Sequence, residues 1–106
     1  MPDFAAAVER LLTQVHHWDE PRWRSASASA GLSRSRLVQG LVQQLADLGA
    51  EAEKRPARPV PHLHDLVLRD QLRVMADDIL AANPTDDLLK RATQATNDVR
   101  DSLVRA

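Results

Sequence analysis

The chain has 106 residues, a formal net charge of −1 and no cysteine. This length fits one domain with a single core, and without cysteine there are no disulfides, thiolate nucleophiles or cysteine-ligated metals. Because opposite charges are interspersed and aromatic residues make up only 3% of the chain, the composition gives no signal for a nucleic-acid or membrane partner and favours helices packed through Leu, Val and Ala.

The first predicted element is a helix over residues 4–17. Asp3 can cap its N-terminus. Apolar residues then recur at the i, i+4, i+7, i+8 and i+11 positions of one helical face, namely Phe4, Val8, Leu11, Leu12 and Val15. This spacing predicts an amphipathic helix with one buried side.

Residues 18–32 interrupt the helical pattern. Pro21 disfavours helix at the residue before it, so we expect a turn there and one short helical turn at 21–24. A stretch that alternates Ser and Ala follows at 25–31. It has no period that would bury a face and is predicted to be a loop.

A second helix is predicted over residues 34–54. Ser33 can cap it, and its apolar stripe contains Val38, Leu41, Val42, Leu45, Leu48 and Ala52. Gly40 lies in the middle of this helix, where glycine costs about 1 kcal/mol relative to alanine. We favour a close crossing with another helix as the reason for Gly40, and the alternative is a ligand that approaches the backbone.

The segment after the second helix contains three prolines in seven residues, at positions 56, 59 and 61. This density predicts an extended, polyproline-like conformation. About ten extended residues at ~3.1 Å each cover the length of a helix, so the segment can cross the whole molecule. We therefore favour up-down-down-up order over the up-down-up-down order that a short hairpin loop would give.

Two further helices are predicted, over residues 65–82 and 86–104. Asp65 can cap the third helix, and either Asn83 or Thr85 can cap the fourth. Their apolar stripes contain Leu68, Leu72, Met75, Ile79 and Ala82, and Leu88, Ala92, Ala95, Val99 and Leu103. Four amphipathic helices in one short chain bury these stripes best against each other, which predicts an all-α four-helix bundle.

The four histidines come in two pairs, His16 with His17 and His62 with His64. Imidazole is a common metal ligand, and the crossover order would bring both pairs to the same end of the bundle. Adjacent positions on a helix are about 100° apart, however, so His16 and His17 cannot easily share one ion. Four surface histidines near helix ends are the simpler interpretation, and we predict no metal and no other cofactor.

Arginine and tryptophan cluster around the Ser/Ala stretch. Such side chains can stack on bases or bind phosphate and carboxylate groups, so they form a candidate ligand-binding site made of Trp18, Arg22, Trp23, Arg24, Arg34 and Arg36. The simpler interpretation is that both indoles close one end of the core, with solvated arginines around them. Asp19 and Glu20 offset the positive charge, which argues against tight binding to duplex nucleic acid.

The stretch A-G-L-S-R-S-R-L-V-Q-G-L at residues 30–41 resembles the beginning of the second helix in the DinB-like family. That family of helical bundles includes bacterial thiol-dependent transferases and mycothiol-dependent isomerases. Its members usually have Gly-Trp-Thr here, followed by a helix with a metal-ligand histidine. Gly31 and Ser33 fit the pattern, whereas Leu32 replaces the tryptophan and Gly40 replaces the histidine. The resemblance implies an up-down-down-up bundle without the metal site.

Three functions are compatible with these features. The first is a non-catalytic interaction module that binds a protein partner or a second copy of itself through apolar residues outside the stripes, namely Leu66, Val67, Val74, Leu80 and Leu89. The second is a DinB-like small-ligand binder, or a thiol-dependent transferase with a degenerate site, at the tryptophan end. The third is a weak nucleic-acid binder that uses the arginines and tryptophans. We favour the first, because no P-loop, dinucleotide-binding, zincin or nucleophile-elbow motif occurs and no catalytic residue is predicted.

The first twenty residues contain Asp3 and Glu9 and no long apolar run. This composition predicts neither a signal peptide nor a membrane span. A cytoplasmic location is therefore the expectation from the sequence.

Overall fold

The computed structural model describes residues 3–26 and 31–104, and this part of the chain is all-α, as predicted. Its five α-helices are α1 (Phe4–Val15), α2 (Glu20–Arg24), α3 (Arg34–Ala52), α4 (Leu68–Ala81) and α5 (Asp86–Val104). A short 3₁₀-helix (Asp65–Val67) leads into α4. Residues 27–30 of the predicted Ser/Ala loop lie outside the described residues. Within the described ranges, no helix combines the length and apolar character that crossing a bilayer requires.

Helix α1 begins where the sequence predicts and ends two residues earlier. The Asp3 carboxylate caps it by accepting a hydrogen bond from the Ala6 N–H (3.1 Å). At the other end the helix stops at Val15 rather than at residue 17. The Trp18 N–H donates to the Val15 carbonyl (3.0 Å), only three residues back. This tighter bond closes a turn instead of continuing the α-helix.

The short helical turn predicted at 21–24 is present as α2, which begins one residue earlier, at Glu20. The Asp19 carboxylate caps it by accepting from the Arg22 N–H (3.0 Å). Pro21 fits the first turn because that position needs no N–H partner within the helix. The turn places Trp23 in the core, where the side chain is fully buried.

Helix α3 is capped by Ser33, as predicted, through a side-chain hydrogen bond to its first turn. It ends at Ala52, two residues before the predicted boundary. Lys54 adopts a left-handed conformation (φ +58°), and the Arg55 N–H donates to the Ala50 carbonyl (2.9 Å). A left-handed residue followed by a bond to a carbonyl five residues back is the Schellman pattern that ends many helices.

Residues 55–64, here called the strap, form the extended segment that the prolines predict. The Gln43 side chain of α3 holds it at two points. Its Nε2 donates to the Arg58 carbonyl (3.0 Å), and its Oε1 accepts from the Val60 N–H (2.7 Å). The middle of the strap therefore lies against the middle of α3.

The third predicted helix has a different start from the one expected. Asp65 does not cap it but lies within the 3₁₀-helix, where the His64 Nδ1 accepts from the Leu66 N–H (3.1 Å). The Asp65 carboxylate instead accepts from the Ser35 hydroxyl of α3 (2.6 Å). This tertiary bond competes with local capping, and α-helical geometry begins only at Leu68. The strap thus leads from the end of α3 back to its beginning.

A four-residue connection, residues 82–85, joins α4 to α5. Thr85, rather than Asn83, caps α5, because its Oγ1 accepts from the Leu88 N–H (3.2 Å). Asn83 follows the end of α4 with a left-handed conformation (φ +52°), which Asn tolerates better than most residues. Helix α4 therefore ends at Ala81, one residue before the predicted boundary.

The apolar stripes turn toward a common interior, which confirms the predicted core. Its most buried side chains come from all five helices and include Leu11, Trp23, Leu41, Leu72, Ile79 and Leu103, each at most 1% exposed. Met75, Ala95 and Val99 are partly buried and pack against this cluster. Helices α1 and α3 each pack against both α4 and α5.

Gly40 does not lie at a helix crossing, so the interpretation favoured from the sequence is wrong. A Cβ atom at this position would meet no other segment or side chain within 4 Å. A Cβ atom at Gly49 would lie 3.7 Å from Ile79 Cγ1 of α4. The close approach of α3 to its neighbour therefore occurs at Gly49, two and a half turns further along.

We expect Gly40→Ala to raise the free energy of unfolding by about 1 kcal/mol, because alanine fits the open position and favours helix. Gly31→Ala should lower it by about 1 kcal/mol, since Gly31 has a left-handed backbone (φ +74°). Urea unfolding followed by circular dichroism measures both. A Gly40→Ala protein less stable than the parent would show that the position is sterically restricted.

Candidate functional site

The two tryptophans pack against each other at one end of the core. Their ring centroids are 5.0 Å apart and their planes are inclined by 73°, an edge-to-face geometry that aromatic pairs favour. Trp23 is fully buried, and Trp18 is partly buried against the core. In the described part of the chain, the Trp23 Nε1–H has no hydrogen-bond partner. A ligand can therefore reach Trp18 but not Trp23 without unpacking the core.

Arg34 lies beside this pair and is only 6% exposed. Its Nη1 donates to the Ser25 Oγ (2.5 Å) and to the Ala26 carbonyl (2.7 Å), and its Nε donates to the Leu103 carbonyl (3.4 Å). The guanidinium carbon also lies 5.9 Å from the Trp18 ring centroid. The acceptor oxygens and the Trp18 ring stabilise the positive charge of Arg34. The C-terminal end of α5 adds to this, because the helix dipole favours a cation there. Arg34 therefore links the segment before α3 to the last turn of α5.

The other arginines of the predicted site have different surroundings. The Arg22 guanidinium lies 5.4 Å from the Trp18 ring centroid, whereas Arg24 and Arg36 are exposed. Arg36 belongs to a separate groove along α3. The recorded contacts thus join Trp18, Trp23, Arg22 and Arg34, and within the described residues they do not extend to Arg24 or Arg36.

The two histidine pairs make separate contacts. The rings of residues 16–17 meet edge to face, with centroids 4.5 Å apart. The Nε2 of His62 lies 3.0 Å from the Asp65 carboxylate, and the Nε2 of His64 lies 3.2 Å from the Glu20 carboxylate. The His64 Nδ1 also accepts a hydrogen bond from the Leu66 backbone N–H. Among the described residues, no group of three or more His, Asp or Glu side chains is placed to hold a metal ion.

A groove of about 490 Å³ lies between the first half of α3, the end of the strap and the start of α4. Its apolar lining consists of Leu32, Val42, Val60, Pro61 and Leu68, and the rest of its lining consists of Arg36, Gln39, Gly40, His62 and Gln71. The volume falls within the range of small-ligand sites, which is roughly 300–1,000 Å³. This groove was not predicted from the sequence, because its two walls are distant in the chain.

Most polar groups of the groove already have partners. The Val60 N–H is bound to Gln43, Pro61 has no N–H, and the Pro61 carbonyl accepts from the Gln71 Nε2 (3.0 Å). Arg36 differs, because its guanidinium forms neither a hydrogen bond nor an ion pair with any described residue. The groove thus combines apolar walls with one unpaired positive charge.

Exposed ion pairs on other faces connect the helices. Arg91 of α5 pairs with Glu51 of α3 and with Asp87 (3.2 Å), and Arg73 of α4 pairs with Glu9 of α1 (2.5 Å). The hydrogen bond from Arg91 lowers the pKa of Glu51, against the opposing effect of desolvation. Any stability from this pair is therefore present above the ordinary carboxyl pKa and is lost as the pH falls through the lowered one. A carboxylate so held serves helix packing rather than proton transfer near neutral pH.

No family model, no curated protein and no solved structure matches the chain. Two surface features of the molecule are candidates for binding, namely the groove along α3 and the exposed face of α4.

Proposed function

We propose that the chain is a non-catalytic binding module whose groove along α3 takes a small molecule. The observation that carries this proposal is Gly40. The helix keeps a glycine where alanine would fit, at a cost of about 1 kcal/mol, and the position opens onto the groove rather than onto another helix. Because glycine has no side chain, it leaves the backbone of α3 accessible to a ligand.

The scaffold that we propose is a four-helix bundle of α1, α3, α4 and α5 in up-down-down-up order. The start of α3 contacts the start of α4 through Ser35 and Asp65. The later part of α3 approaches the end of α4 at Gly49 and Ile79. These two contacts support a parallel course for α3 and α4, with the strap as the crossover between them.

Helices α1 and α5 run the opposite way in this proposal. Arg69 near the start of α4 donates to the His16 carbonyl just after α1 (2.6 Å). Arg34 at the start of α3 donates to the Leu103 carbonyl near the end of α5. The same order is implied by the DinB-like resemblance, and a distant relationship to that family is a further proposal.

A neutral aromatic probe, naphthamide, tests the groove by titration into isotope-labelled protein. At ~0.3 kcal/mol for each of its non-hydrogen atoms, we expect a dissociation constant of about 1 mM. The amide signals of Gly40, Val60 and Gln71 should shift in two-dimensional spectra. Gly40→Leu should abolish these shifts, because the added side chain occupies the groove while leucine still favours helix.

Gln44→Leu is the matched control for this titration, because it adds leucine to an exposed position of α3 outside the groove lining. It should leave the probe affinity unchanged. If no amide of the groove shifts, or if the shifts persist in Gly40→Leu, the groove does not bind small molecules and the proposal fails.

Self-association is a second candidate, and the exposed face of α4 favours it. Of the five apolar residues predicted for a second apolar face, Leu66, Val74 and Leu80 are exposed, whereas Val67 and Leu89 are partly buried. The two exposed leucines belong to a row whose members are Leu66, Asp70, Arg73, Asp77 and Leu80. All of them are exposed. The spacing of three and four residues from Asp70 to Leu80 keeps these four on one face of α4, and Leu66 precedes them in the 3₁₀-helix.

The order of residue types in this row is apolar, acidic, basic, acidic and apolar, and it is the same from either end. Two copies packed antiparallel through a twofold axis near Arg73 would therefore place each Leu66 opposite the Leu80 of the other copy. The same arrangement sets Arg73 opposite the Arg73 of the other copy and Asp70 opposite its Asp77, so the charges of the row do not favour the contact, which rests on the leucines. The pairing of the exposed Leu66 and Leu80 is the one feature of this row that favours a second copy of the chain over an unrelated partner.

Light scattering coupled to gel filtration tests this candidate. We expect the mass of a dimer at high protein concentration and the mass of a monomer for Leu80→Glu. Leu63→Glu is the control, because Leu63 is 72% exposed and lies outside the row. A strictly monomeric parent protein would reject self-association through α4.

A further inference from the structure

We infer that the ligand of the groove is a small amphipathic carboxylate, which carries one negative charge on an apolar body. This inference rests on the proposed function and names the chemical class of its ligand. In this assignment the Arg36 guanidinium binds the carboxylate, and the apolar body lies over Gly40 against the strap.

The position of Arg36 fits this role. Arg36, Gln39 and Gly40 lie at the i, i+3 and i+4 positions of α3 and are neighbours on its surface. The positive charge thus stands beside the open stretch of backbone. A planar guanidinium with no internal partner can give a carboxylate two parallel hydrogen bonds.

Several other arginines lack this freedom. Arg34 donates to two backbone carbonyls and a hydroxyl, Arg69 donates to a backbone carbonyl, and Arg73 and Arg91 pair with carboxylates. Each of these guanidiniums is already used in holding two segments of the chain together. Arg36 combines an unpaired guanidinium with a place in the groove along α3.

The charge balance of the groove favours a monoanion over a dianion such as a phosphate ester. His62 is the second titratable group of the lining, and it is already paired with the Asp65 carboxylate (3.0 Å). A second negative charge on the ligand would find no second unpaired cation in the lining and would lie near Asp65 instead. The Asp65 carboxylate would repel this second charge.

The apolar lining of the groove suits an apolar body. Val42 and Leu68 are buried at the base of the groove, and Val60 is partly buried in the strap. Pro61 offers no N–H, and its carbonyl is occupied by Gln71. A ligand body without polar groups can therefore cover these walls without burying a protein polar group that lacks a hydrogen-bond partner.

The test compares naphthoate with naphthamide, which have nearly the same shape and differ in charge. In amide-detected titrations of the full chain at low ionic strength, we expect naphthoate to bind about tenfold more tightly, as one exposed charge-assisted pair allows. Arg36→Gln should weaken naphthoate about tenfold and leave naphthamide unchanged. Arg24→Gln is the matched control, because it removes an exposed arginine outside the groove lining, and it should leave both affinities unchanged.

Three results would overturn the carboxylate assignment while the groove itself remained a binding site. They are equal affinities for naphthoate and naphthamide, equal losses of naphthoate affinity in Arg36→Gln and Arg24→Gln, and tighter binding of naphthyl phosphate than of naphthoate. In each case Gly40→Leu would still abolish binding of both neutral and charged probes. If neither naphthalene probe shifted the groove amides, the proposed function would fail together with this inference.

Discussion

Replacing Arg34 with alanine is expected to lower the free energy of unfolding by about 3 kcal/mol. The substitution removes hydrogen bonds to the Ser25 Oγ, the Ala26 carbonyl and the Leu103 carbonyl. Bonds from a charged donor contribute roughly 1.5–3 kcal/mol each, and the longest of the three contributes least. Because these bonds join the segment before α3 to the last turn of α5, their loss frees both segments at once.

Urea unfolding of Arg34→Ala, followed by circular dichroism, gives this difference directly. Arg36→Ala is the control from the same helix, and its stability should stay within about 0.5 kcal/mol of the parent because Arg36 is exposed and unpaired. Arg34→Lys keeps the charge but not the branched guanidinium, so it should recover less than half of the loss. A loss below ~1 kcal/mol in Arg34→Ala would mean that its hydrogen bonds do not stabilise the fold.

Arg34 and Arg36 were predicted to share one site, but Arg34 is buried beside the tryptophans and Arg36 lines the groove along α3. Both were grouped with the tryptophans because they share a residue type and a short stretch of chain. Their positions differ, since Arg34 stands on the row of Val38, Leu41 and Leu45, at i, i+4, i+7 and i+11, which is the core face. From that spacing the burial of Arg34 could have been predicted. The acceptors of its hydrogen bonds could not, because one of them is 69 residues away in the chain.

Helix caps and stripes were predictable where local interactions decide them. Asp3 and Ser33 cap their helices as expected, because each cap bond spans three residues. Asp65 also has a side chain that can cap a helix. Its carboxylate instead accepts a hydrogen bond from the Ser35 hydroxyl, thirty residues away, and does not cap α4. The boundary after α3 was missed for another reason, since Lys54 occupies the left-handed position that glycine usually fills.

The groove could not be predicted, because it depends on what covers the outer side of α3. On its other sides this helix packs against α4 and α5. The remaining side meets the strap, which is a single extended segment and fills less space than a helix. Gln43 ties the strap to α3 on one side of Gly40, and Ser35 ties the start of α4 on the other side. The open space lies between these two attachment points. The exposure of Gly40 to the groove therefore follows from two tertiary contacts that the sequence does not reveal.

The substitution with the largest expected effect is Trp23→Ala, which should lower the free energy of unfolding by about 4 kcal/mol. Trp23 is fully buried and packs edge to face on Trp18. Its removal loses both the burial of a large apolar surface and the aromatic contact, and it leaves a cavity at the end of the core. Against a total stability of ~5–15 kcal/mol, this loss brings the protein close to unfolding. Urea unfolding by circular dichroism measures it, with exposed Leu63→Ala as the control that should change stability by less than about 0.5 kcal/mol.

Trp23→Phe separates the two physical contributions of this side chain. Phenylalanine keeps much of the apolar contact and removes the indole N–H, which has no acceptor among the described residues. A buried donor without a partner costs ~1–3 kcal/mol, so its removal should offset part of the lost packing. We expect Trp23→Phe to lose less than half of what Trp23→Ala loses. A loss as large as that of Trp23→Ala would instead show that the N–H makes a stabilising hydrogen bond, for example to a buried water molecule.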